Sequence, residues 1–368
     1  MKLKIIEMLG GDLTVVNSAR ASYLKKTDTL EDRDMRLIRY LAREGHMSPF
    51  RHSAVTLVAQ LTEEERHWLE ATHESLGSVI RPKLSDWEIG KAVYWTVSLQ
   101  ALAKTYQEAG AFPELQQAVR NVGSLLAPVA FGALTGLDTQ LGVTLLPEPL
   151  MMSGLLDGQG YVRLLDTASG ADADTTLVQF EVFAPLMVRA QWFKYARRGD
   201  LTVPGFHPNP LEGTGTGNGD DGGFDDPLFA RNEASRRYVT LDVAHYIPEA
   251  TKWRSKPENS KQGSGAPLKE VTGSVLTSML EEAVERGMQD YEAALSRGVA
   301  PEQARLFLPN GYGLYTVWYW TASMTAVNHF LDQRLAHDAQ SEIRDYAEAV
   351  AHLINRSKVR SYRKEGKQ

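Results

Sequence analysis

Asn232-Glu233-Ala234-Ser235-Arg236-Arg237-Tyr238 sets a carboxylate, a hydroxyl and two guanidinium groups in seven consecutive residues, with Gln191-Trp192-Phe193-Lys194 upstream. Guanidinium forks grip phosphate oxygens in a plane, while a hydroxyl and a carboxylate fix a sugar or a base edge. The stretch suits an anionic, hydrogen-bonding ligand; the same composition also describes a solvated, charged helix end. No His–Asp constellation is visible to activate Ser235, so its hydroxyl is read as a binding group rather than a nucleophile.

The 368 residues include no cysteine. That removes disulfides, cysteine-ligated zinc and any thiolate nucleophile, and leaves covalent chemistry to another side chain or to a cofactor. No metal site is read. A formal net charge of -6 argues against a general nucleic-acid binder. The longest apolar run, 124–137, is short and broken by Pro128, Gly132 and Gly136, so no membrane span is expected. The start, Met1-Lys2-Leu3-Lys4-Ile5-Ile6, lacks an export signal, and a cytoplasmic location is the expectation. A formal G-x-G-x-x-G at Gly217, Gly219 and Gly222 is rejected as a dinucleotide site, because no strand leads in and Asp220 and Asp221 repel phosphate.

Residues 1–16 are read as a strand and turn, 31–44 as a helix stopped by Gly45, and 53–60 as a strand. Thr62-Glu63-Glu64-Glu65 is a capping box. Helices are expected over 85–108, 113–137, 268–295, 315–335 and 339–354, a strand over 177–183, and a helix from Pro185 through Trp192. Residues 154–175 are rich in Gly, Asp and Ser, and 204–227 form a Gly/Asp-dense loop. No internal repeat is read.

Four blocks, in order, resemble the flavin-dependent thymidylate synthases. The first is Ala19-Arg20-Ala21-Ser22-Tyr23 with His46-Met47-Ser48-Pro49-Phe50-Arg51-His52, similar to A-R-x-S-[FY] and H-x-[ST]-P-F-E-H. The second runs from Phe180 to Phe193 and ends Arg189-Ala190-Gln191-Trp192-Phe193, and the third is Asn232 to Tyr238, similar to N-E-x-S-x-R-Y. The fourth is Gly298-Val299-Ala300-Pro301-Glu302-Gln303-Ala304-Arg305, with Leu308-Pro309, then Trp320-Thr321 and Arg334 through Ala339-Gln340-Ser341-Glu342-Ile343.

The resemblance implies methylation of dUMP to dTMP, with NADPH reducing FAD and methylenetetrahydrofolate supplying the carbon. Such chemistry needs no enzymic thiolate. It also implies a homotetramer with sites shared between subunits. Carried over by position, dUMP falls to Gln191, Lys194, Glu233, Ala234, Ser235, Arg236, Arg237, Arg305 and Arg334, with Arg334 also the catalytic residue at the uracil edge. FAD falls to Ser22, Ser48, Lys194, Tyr195, Ala196, Arg197, Glu233, Ser323, Thr325 and His329. The pattern departs where Lys194-Tyr195-Ala196 replaces R-H-R, where Arg51 replaces an acid, and where Ser323-Met324-Thr325 replaces N-x-R.

The expected fold is α/β (α+β): a twisted, mainly antiparallel sheet flanked by long helices. Its core spans 1–60 and 176–356, interrupted by a largely helical inserted subdomain, 61–175, and by a loop, 199–228; a basic tail follows at 357–368. Two rival readings are a same-fold enzyme with another one-carbon donor or a modified uracil nucleotide, and a non-catalytic nucleotide-binding scaffold.

Overall fold

Local signals fix many element ends. Thr62 N–H donates to Glu65 Oε2 at 2.8 Å and Glu65 N–H to Thr62 Oγ1 at 3.2 Å, the reciprocal cap read from the sequence. Gly45 follows its helix at a φ of 73°, where a side chain would be strained. The computed structural model describes residues 2–23, 25–82, 92–137, 148–155, 158–195, 228–234, 244–257, 264–308, 311–357 and 359.

In chain order the elements are β1 (Lys2–Leu9), α1 (Asp12–Arg20), α2 (Asp32–Arg43), β2 (Ala54–Gln60), α3 (Glu63–Leu76), β3 (Ser78–Pro82), β4 (Ala92–Ser98), α4 (Leu99–Glu108), α5 (Pro113–Leu126) and α6 (Pro128–Thr135). Then come β5 (Leu150–Leu155), β6 (Gly160–Ala168), β7 (Leu177–Pro185), α7 (Leu186–Tyr195), β8 (Ala230–Glu233), α8 (Glu270–Ser296), α9 (Pro301–Ala304), β9 (Tyr315–Ser323), α10 (Met324–Arg334) and α11 (Ser341–Arg356).

The α/β class with antiparallel pairing holds, but among the described residues there are two sheets rather than one. Their orders are β1-β2-β4-β3 and β5-β6-β7-β9-β8. Two expected helices are corrected to strand-then-helix: 85–108 contains β4 before α4, and 315–335 is β9 before α10. Both strands are buried along nearly their whole length, with both faces covered, which erases the alternation that marks a half-exposed strand. The helical insertion over 61–175 is corrected as well. That segment holds α3 to α6, yet its strands β3 and β4 complete the first sheet, and β5 and β6 open the second. One apolar core gathers Val15, Phe50, Leu57, Trp95 and Phe131, and the other Phe180, Trp192, Trp320 and Tyr346. The chain therefore divides between 137 and 150. Of the expected loop 199–228 only Leu228 is described, and of the tail only 357 and 359.

The two sheets repeat one topology. Leu9 pairs with Ala54 and Ala54 with Ser98; likewise Ala168 pairs with Leu177 and Leu177 with Ser323. The register slips at the matching place, between Ile5 and Glu7 in β1 and between Leu164 and Asp166 in β6. The third strands read Tyr94-Trp95-Thr96-Val97-Ser98 and Tyr319-Trp320-Thr321-Ala322-Ser323. Each ends in a serine that caps the next helix, Ser98 Oγ accepting from Ala101 N at 3.2 Å and Ser323 Oγ from Ala326 N at 3.3 Å. The chain is an internal duplicate, against the reading of no repeat.

The halves meet through reciprocal bonds. Gln179 Nε2 donates to the His52 carbonyl at 2.9 Å, and at the matching positions the Thr56 and Thr96 hydroxyls donate to the Thr175 carbonyl at 3.5 and 3.2 Å. Gly10 N–H donates to Asp166 Oδ2 at 2.7 Å, and Ser169 N–H answers to Glu7. Such exchange of equivalent contacts is the mark of an isologous two-fold interface.

Candidate active site

The 3-10 turn Ser48–His52 carries the first-half residues to the second-half strand β8. Ser48 Oγ donates to Asn232 Oδ1 at 2.8 Å, and His52 Nε2 faces the same oxygen at 3.2 Å. An amide oxygen only accepts, so His52 carries its proton on Nε2. Its Nδ1 then accepts from Thr321 Oγ1 at 2.8 Å, and that hydroxyl accepts from Gln179 Nε2 at 3.0 Å. Burial pushes the His52 imidazole down from 6.5 to about 3, so it is neutral. One tautomer satisfies the whole relay and orients the amide of Asn232.

Next along β8, Glu233 accepts from Arg189 of α7, with Nε at 3.0 Å and Nη2 as a second donor. Ala234 N–H donates to the Val317 carbonyl at 2.8 Å, which fixes the backbone as it leaves the sheet. Gln191 lies about 200° round α7 from Arg189, hence on its other side. There Arg334, 8% exposed at the end of α10, donates from Nη2 to the Gln191 carbonyl at 2.6 Å. The Gln191 side chain donates to Gln340 at 2.5 Å. Lys194 is exposed on the last turn of α7.

Three predicted flavin residues gather at the start of α10. Ser323 caps it, Thr325 Oγ1 donates to Asp174 Oδ1 at 2.6 Å, and His329 sits half-buried one turn on. Arg305 is exposed after α9, in a turn that packs on α8 and α9, with its Nε donating to the Glu302 carbonyl at 2.9 Å, whereas Arg334 is buried. Ser235, Arg236, Arg237, Ala196 and Arg197 lie outside the described residues, as do the side chains of Ser22 and Tyr195.

Asn232, His52, Arg189 and Thr321 stood in the quoted blocks but were given no role, and Gln179 was not singled out. A second cluster beside them was missed altogether. Glu181 of β7 is fully buried, accepts from Tyr161 Oη at 3.0 Å and Arg163 Nη1 at 3.3 Å, and pairs with Lys26 of the first half. Burial and then the Glu181 charge push the Tyr161 and Tyr319 phenols upward, so both stay protonated donors. The cluster lines a cavity of about 430 Å³ walled by Phe183, Val317 and Tyr319, with Lys25 also at its edge. The available signal was a lone acid inside the apolar strand 177–183.

With this geometry in view, residues 227–357 match the family model described as thymidylate synthase complementing protein. A flavin-dependent thymidylate synthase of Aquifex aeolicus is 26% identical over 356 residues, covering 95% of this chain and 96% of that one. One from Thermus thermophilus is 33% identical over 182 residues, covering 49% of this chain and 53% of its own. Among solved structures, a UMP/dUMP methylase, PolB, from Streptomyces cacaoi bound with 5-Br UMP covers 96% of this chain and 88% of its own at 17% identity, with a TM-score of 0.36.

Proposed function

We propose that the chain belongs to the flavin-dependent thymidylate synthase family and methylates dUMP to dTMP with FAD, NADPH and methylenetetrahydrofolate. The observation that carries this reading is the run from β8 to α11. It matches the family model and holds Glu233 against Arg189 and Arg334 against the Gln191 backbone. A guanidinium shielded from water is a permanent positive charge, which lowers the pKa of an acid beside it. Arg334 would thereby favour the ionised uracil ring. Ser235, Arg236 and Arg237 follow Glu233 directly and suit the phosphate by hydroxyl and guanidinium forks.

Donor chemistry also fits a flavin nucleotide. The hydroxyls of Ser48 and Thr325, the His329 imidazole and the Lys194 ammonium suit ribose hydroxyls and a diphosphate. When bound, the flavin supplies the hydride that completes the methyl group. The chain's own task is to hold the uracil, fix its charge and keep Asn232 and Glu233 in place.

The exposure of Arg305 beside the burial of Arg334 supports sites shared between chains, as in the homotetramer that the resemblance implies. An exposed stripe of Val271, Val275 and Met279 on α8 offers a surface for that association. The cytoplasm is the proposed location. The visible absorption spectrum of protein purified with FAD tests the cofactor. Flavin bands that shift on adding dUMP support the reading, and a colourless protein after FAD incubation contradicts it.

A further inference from the structure

We propose that each chain retains one nucleotide position, to which both of its halves contribute across the internal two-fold, and that the symmetry-related second position has been dismantled by complementary losses. The proposal rests on the dUMP reading for the identity of the ligand. Its architecture rests on the two halves alone.

At the retained position the first half supplies Ser48 and His52 and the second supplies Asn232, Glu233 and Thr321. Rotating these roles by the two-fold gives the other position. There His52 becomes Thr175, because each lies two residues before the matched pair Ala54 and Leu177. Asn232 and Glu233 become Arg81 and Pro82, which share their register opposite Tyr94 and Val93. No imidazole, amide or carboxylate survives at these three places. The Thr175 hydroxyl is instead bonded to Asp172 Oδ1 at 2.7 Å.

The connections show the same exchange. Residues 10–53 join β1 to β2 and carry α1, α2 and the Ser48–His52 turn, whereas 169–176 join β6 to β7 without a helix. In the outer part of each half the losses reverse. Residues 234–314 join β8 to β9 and carry α8 and α9, whereas only 83–91 join β3 to β4. Each half has kept what the other has shed. Lys26 of the first half, paired with buried Glu181 of the second, ties the two together beside the retained position, and Val58 occupies the place of Glu181 in the first half.

The absence of cysteine makes a direct test clean. In the full-length variant Ser48→Cys/Asn232→Cys, a short bismaleimide should bridge the two thiols within one chain, read as a monomer on a denaturing gel and as a linked peptide pair by mass spectrometry. A product of two chains, or no bridge, would overturn the architecture. Equilibrium dialysis of labelled dUMP against wild-type protein saturated with FAD should reach one nucleotide per chain, and a plateau of two would overturn the count. Bridging within one chain but no dUMP binding would fault the dUMP reading and leave the architecture standing.

Discussion

His52 acts through Asn232, and its neutral ring makes it sensitive to what replaces it. Gln keeps an N–H near the Nε2 position; Leu keeps only the bulk. His52→Leu should raise the KM for dUMP roughly tenfold, the worth of about one hydrogen bond left unmade, while His52→Gln stays near wild type in steady-state kinetics. The sign of the pH effect follows from a folded-state value of about 3 against 6.5 unfolded. Between these values the unfolded chain binds the extra proton. This histidine's contribution is therefore complete above about 6.5 and is lost as pH falls. From pH 7 to 4.5 the loss is about 3 kcal/mol. Melting curves of wild type and His52→Gln should converge with acidification, and parallel curves would contradict a buried neutral ring. Arg334→Ala should lower kcat/KM for dUMP by about a hundredfold or more, as expected for a charge that stabilises the reacting ring.

At the level of elements, Ser98 and Ser323 give a matched pair. Both cap a helix directly after a buried strand, so Ser98→Ala and Ser323→Ala should each cost about 1 kcal/mol, a fall of about 2 °C in Tm. Ser98 lies in the half that lacks the nucleotide loop, so its loss should leave activity intact. Ser323→Ala should also weaken FAD retention, measured by absorbance after gel filtration. The same two places explain what periodicity could not read. The strand β2, the helices α2, α5, α8 and α11 and the capping box at Thr62 were legible from spacing and caps. The strands β4 and β9 were not, because Tyr-Trp-Thr-x-Ser runs buried on both faces straight into a helix with no glycine or proline between. The serine cap was the one local marker of the change.

For the molecule as a whole, the shared Tyr-Trp-Thr-x-Ser run was the visible trace of duplication, and little else survives at matched positions. Complementary loss explains this. Once each half keeps a different part of one site, selection on the two sequences diverges while strand register, bulge and interface bonds persist as requirements of packing. For the same reason the Asn232–Tyr238 cluster and Arg334 could be found from their own residues, but the Ser48–His52–Asn232 contact could not, since it joins segments 180 residues or more apart. The exposed face of α8 belongs to this scale too. Val275→Glu combined with Met279→Glu should reduce the sedimenting mass of the assembly without lowering Tm, since both side chains are exposed in the single chain.

Whether the chain methylates dUMP through flavin is read from the product itself by mass spectrometry. Purified protein incubated with dUMP, FAD, NADPH and methylenetetrahydrofolate should yield dTMP, and omission of any one component should abolish the product. Absence of dTMP from the complete mixture, or a methylated product formed equally well without flavin, would contradict it.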